Sequence, residues 1–76
     1  MSERLLTFEI EDEELSLHMN DEGAEFLMKK LQDMLGKEND HEHLLTAEWG
    51  GDELSSEKQS DKAGLLNKVT LHIWNK

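Results

Sequence analysis

The sequence predicts a small α+β domain: a four-stranded, mostly antiparallel sheet with one helix packed on one face, in the order β-β-α-β-β. Three observations carry it. Residues 4–11 and 14–19 alternate apolar and polar side chains, residues 24–35 repeat at helical spacing, and residues 66–74 alternate again. With 76 residues there is room for one domain, 1–76, and one modest core.

In the first strand Leu6, Phe8 and Ile10 share a parity against Thr7, Glu9 and Glu11; in the second, Leu15, Leu17 and Met19 stand against Ser16 and His18. Asp12-Glu13 is the tight connection, although it lacks the glycine of the strongest hairpin turns. Asn20 then offers an N-cap, with Asp21 and Glu22 in the first turn where the helix dipole favours anions. Ala24, Leu27, Met28, Leu31 and Leu35 fall in one stripe, Phe26 lies nearly opposite, and Gly36-Lys37 supplies the stop. A third strand is expected over 43–49, with Leu45, Ala47 and Trp49 inward and Trp49 closing the sheet–helix sandwich. Residues 50–64 read as a long loop, of a length that is usually functional or flexible, opened by a reversal at Gly50-Gly51. The last strand turns Val69, Leu71 and Ile73 inward and Thr70, His72 and Trp74 outward. One helix covers one face, so the other is expected to meet solvent or a partner.

Charge bounds the function. Eighteen acidic residues against eight basic ones give a formal charge of −10. A small domain balanced for solubility typically carries a magnitude of about 2–8. Such an excess repels nucleic acid and anionic membrane and speeds encounter with a basic protein. Met1-Ser2-Glu3-Arg4 is followed only by Leu5 and Leu6, no apolar run approaches a membrane span, and cysteine is absent, so the expected location is cytoplasmic.

The sequence offers little catalytic equipment. It holds no glycine-rich phosphate loop, nucleophile elbow or cysteine, and its serines 55, 56 and 60 sit in a polar loop without a fixed base. An enzyme is not expected, and no catalytic residue or cofactor is assigned. His41 and His43, in Asp-His-Glu-His, share a strand face if residue 41 is already extended. Two histidines with third and fourth ligands unspecified are a weak metal signal, so no metal is assigned. His18 and His72 also fall on the outer face and could approach across strands, as a metal site or a proton-linked switch.

Glu9, Glu11, Asp12, Glu13 and Glu14 crowd one hairpin at a cost in self-repulsion, which favours a functional reading of them. With Phe26 and Trp74 as apolar anchors, these seven are the candidate partner-binding residues.

Taken together, Asn20-Asp21-Glu22-Gly23-Ala24 opening a helix with Leu27 and Leu31, His43-Leu44, Trp49-Gly50-Gly51-Asp52-Glu53-Leu54 and the closing hydrophobic strand resemble the immunity protein 32 family of bacterial polymorphic toxin systems. The resemblance covers most of the chain. It implies a small cytosolic α+β protein that neutralises a cognate toxin domain, and it transfers no catalytic residue. The expectation is therefore an acidic, non-enzymatic domain that binds a basic toxin; the alternative is a self-associating, homodimeric structural or regulatory module.

Overall fold

A computed structural model describes residues 3–74; Met1, Ser2, Asn75 and Lys76 lie outside the described residues. The order is β1 (Leu6–Glu11), β2 (Glu14–Met19), α1 (Asp21–Met34), β3 (Asp40–Leu45), a 3₁₀ turn (Ala47–Trp49), β4 (Gly64–Leu65) and β5 (Lys68–Ile73). The class is α+β with antiparallel strands, as expected, but the single four-stranded sheet is replaced by two sheets and five strands. One sheet has the order β2-β1-β4 and the other pairs β3 with β5. The cause lies in the segment read as loop. Gly64 and Leu65 pair with Ile10 and Glu9, and Leu66 N–H donates to the Phe8 carbonyl at 2.9 Å, so the far edge of β1 is taken.

The hairpin forms in the expected register, Leu6 opposite Met19 through Glu11 opposite Glu14. It turns without glycine because Asp12 takes φ of +57°, a conformation Asp tolerates better than most residues. One face of the hairpin carries Leu6, Phe8, Ile10, Leu15, Leu17 and Met19, and the other carries Thr7, Glu9, Ser16 and His18.

Asn20 caps α1 and ties it to the chain entering β1. Its Oδ1 accepts from Gly23 N–H at 2.8 Å and Leu5 N–H at 3.0 Å, while its Nδ2 donates to the Glu3 carbonyl at 2.6 Å. Gly23 sits against that same chain, where a Cβ would fall 1.8 Å from the Leu5 carbonyl oxygen. This close approach sets the rotation of the helix. Gly23 and Met34 are buried and Phe26 and Leu27 pack on the core, whereas Met28, Leu31 and Leu35 of the expected inward stripe are 57%, 48% and 70% exposed. The helix is thus turned from its apolar stripe by roughly a quarter turn at 100° per residue.

The core gathers Leu6 and Phe8 from the first sheet, Leu44 from the second and Leu54 from the connection, with Phe26, Leu27, Leu66, Val69 and Leu71 around them. Leu54–Ser55 stitches the sheets together: Leu54 N–H donates to the Leu45 carbonyl at 3.1 Å and Ser55 N–H to the Leu6 carbonyl at 2.8 Å. The third strand is displaced from the expected 43–49. Its first four residues, Asp40 to His43, are all polar and give no apolar period, and the chain leaves it at Thr46 for the 3₁₀ turn. Trp49, in that turn, is 59% exposed and does not close the sandwich. Gly50, at φ of +93°, makes the reversal that the glycine pair announced.

Candidate functional site

The polar face of the first sheet is covered at its centre rather than open. Residues 55–60 fold over it. Ser55 Oγ accepts from Leu6 N–H at 3.0 Å, Thr7 Oγ1 donates to the Glu57 carbonyl at 3.2 Å, and Thr7 and Glu9 are fully buried beneath. Glu9 holds that cover in place: its Oε2 accepts from the backbone amides of Gln59 and, at 3.4 Å, Ser60. The Gln59 amide is the main reason the Glu9 carboxyl titrates below its ordinary value; burial opposes the shift, and the Ser60 amide and His18 add to it. His18 Nε2 stands 3.2 Å from Glu9 Oε1 without hydrogen-bond alignment, and among the described residues neither buried atom has a hydrogen-bond partner.

Glu9 is therefore withdrawn from the candidate binding set, since no surface remains for a partner to touch. Glu11, Asp12, Glu13 and Glu14 are exposed around the hairpin tip. Their neighbours on the apolar face, Ile10 and Leu15, are 44% and 58% exposed. The structure thus joins an acidic tip to an uncovered apolar strand face, which alternation alone could not show because it assigned that face to the core.

Phe26 is half-buried, packed on the core, and covered by the Arg4 guanidinium 3.8 Å from its ring centre. It is a core residue with a cationic lid and not a bare anchor. Arg4 also donates to the Asp52 and Glu53 carbonyls, fixing the start of β1 to the segment after the 3₁₀ turn. Trp74 is 64% exposed, as its parity predicted, and its ring is stacked beside His72.

The Trp49-Gly50-Gly51-Asp52-Glu53-Leu54 string has a structural use. Glu53 Oε1 accepts from Leu45 N–H at 3.1 Å, Leu54 enters the core, and a Cβ on Gly51 would meet the Leu45 Cβ at 2.5 Å. Burial pushes the Glu53 carboxyl up, and the amides of Leu45, Glu53 and Asp52 outweigh it, so the group titrates below its ordinary value.

A second uncovered apolar feature lies at the other end of α1. Leu31, Met34 and Leu35 face Leu71 and Ile73 across an open groove of about 500 Å³. Among the described residues no helix is long and apolar enough to cross a membrane. No family model matches the chain, and no curated protein and no solved structure matches it.

Proposed function

We propose that the chain is a non-enzymatic, acidic protein-binding domain whose partner is a basic protein, and that toxin neutralisation is the sharpest form of this reading. One observation carries it: the exposed carboxylates of Glu11, Asp12, Glu13 and Glu14 stand beside the exposed apolar side chains of Ile10 and Leu15 on one hairpin. An apolar centre with a charged rim is the usual anatomy of a protein–protein contact. The rim would set encounter rate and the apolar centre would set dissociation. Glu9, the carboxylate withdrawn from water, is occupied by backbone amides and has no opening to a substrate, which favours binding over catalysis. The toxin partner rests on the short motifs that resemble immunity protein 32, and a cytoplasmic site of action goes with it.

Capture from lysate of the source cells, at low and high salt, tests the reading with wild type beside the Glu11→Gln, Glu13→Gln, Glu14→Gln triple variant. Support is a basic protein retained at low salt by wild type, released by salt and poorly held by the variant; inhibition of its activity by the domain establishes neutralisation. Equal retention by the two proteins removes the tip from the interface.

A specific feature favours a second reading, the homodimer. β2 is an edge strand, and Leu15, Leu17 and Met19 are 58%, 37% and 38% exposed along it. Unprotected edges of this kind invite pairing with another copy. Antiparallel pairing of β2 with its copy would set the two acidic tips at opposite ends, lessening their repulsion. A dimer at micromolar concentration by sedimentation, lost on Leu17→Lys, would support it.

A further inference from the structure

The outward face of the β3–β5 sheet brings three imidazoles together. His41 lies directly opposite His72, and His43, two residues along β3, lies opposite Thr70. The ring centres of His41 and His43 are 5.0 Å apart and those of His41 and His72 are 5.9 Å apart. All three side chains are exposed.

Two imidazoles bound to one tetrahedral ion, with metal–nitrogen bonds of about 2.0–2.1 Å, place their ring centres roughly 5 Å apart. The two separations from His41, to His43 and to His72, lie near that value. Two neighbours are placed to orient the rings. His43 Nδ1 is 3.0 Å from Thr70 Oγ1, so a proton donated there leaves the Nε2 lone pair free, the kind of outer contact that fixes a ligating tautomer. The indole of Trp74 lies 11° from parallel to the His72 ring, with centres 6.0 Å apart, and limits how that ring turns. Among the described residues no three metal-binding side chains already converge on one point. Convergence on one ion requires these exposed imidazoles to turn about their side-chain bonds, within the limit that Trp74 sets on His72; such rotations of exposed side chains take picoseconds to nanoseconds.

From this geometry we infer that His41, His43 and His72 form a binding site for a divalent ion of borderline softness, zinc being the type case, with the fourth position open to water or a donor from another molecule. The pattern of two histidines on one strand and a third on its neighbour supplies the ligand that the sequence left unspecified. Imidazole nitrogen suits zinc, nickel and copper better than magnesium or calcium, and the charge of −10 raises the local concentration of any cation.

Calorimetric titration of the untagged full chain with zinc chloride near neutral pH tests the inference. The expected result is one ion per chain, with affinity at least ten-fold lower in each of His41→Ala, His43→Ala and His72→Ala. His18→Ala, on the other sheet, should bind as wild type does. Thermal unfolding without metal, alike in the three site variants, separates loss of a ligand from loss of the fold. Absence of binding, an equal loss in His18→Ala, or a loss confined to two of the three positions would overturn the three-histidine site.

Discussion

The carboxylate of Glu9 accepts a hydrogen bond from the backbone amide of Gln59, fifty residues further along the chain, and this contact turns an acidic strand residue into the anchor of a loop. An alternating strand with Thr7 and Glu9 on one parity reads as half-solvated. Here that parity is buried because residues 55–60 lie over it and bring their own amides to the carboxylate.

The first prediction concerns acid. The folded Glu9 titrates below its ordinary value of 4.5, so its contribution is complete above that pH and is lost as pH falls through the depressed folded value. Glu53 shifts in the same direction and adds to the effect. Stability should therefore decline as the pH drops below about 4.5. Glu9→Gln should be less stable at neutral pH, with a shallower acid decline and several-fold faster amide exchange at Gln59 and Ser60. Exchange at those amides unchanged by the substitution would count against the anchoring role.

Rotation of the helix gives the second. Met34 is 2% exposed and Leu35 is 70% exposed, although the apolar stripe of the sequence places Leu35 inward. Met34→Ala should cost about 2–5 kcal/mol, as core truncations do, and Leu35→Ala no more than about 0.5 kcal/mol. Denaturant midpoints decide between the two rotations, since the reverse order would restore the stripe to the core.

The hairpin, the helix limits and the last strand were legible because each is set by local signals: alternation in the hairpin and the last strand, and the Asn20 cap and Gly36-Lys37 stop for the helix. The division into two sheets was not. β4 is two residues, Gly64 and Leu65, at the very end of the segment read as a loop, and β3 begins with four polar residues whose pairing with β5 is visible only in three dimensions. Helix rotation was missed for a related reason. Gly23 lets α1 sit where a Cβ would clash with the Leu5 carbonyl, yet it contributes nothing to a count of apolar side chains. In the candidate site, exposure of Glu11 to Glu14 followed from charge density, and Trp74 from parity. The burial of Glu9 depended on a loop fifty residues away, and so had no local signal.

Gly23 and Asn20 supply the third prediction. Removing the Asn20 side chain frees the Gly23 and Leu5 amides together, so Asn20→Ala should cost about 1–2 kcal/mol, the upper part of the N-cap range. Gly23→Ala must push the helix off the Leu5 carbonyl and should cost about 1–3 kcal/mol, the range for overpacking. An alanine at 23 that stabilised the protein, as it would in a free helix, would show that α1 does not approach β1 this closely.

The last prediction separates stability from binding at the hairpin tip. Glu11 and Glu14 are direct cross-strand partners, and like charges so placed repel. Glu14→Lys replaces that repulsion with attraction and should raise stability by roughly 0.2–1 kcal/mol, the range for a cross-strand pair. If the tip serves a basic partner, the same substitution should slow association and reduce its dependence on salt, since rim charges act mainly on the encounter rate. Chemical denaturation measures the first effect, and stopped-flow association with the captured partner at two ionic strengths measures the second. A variant that is more stable and binds as fast as wild type would leave the acidic tip without the role proposed for it.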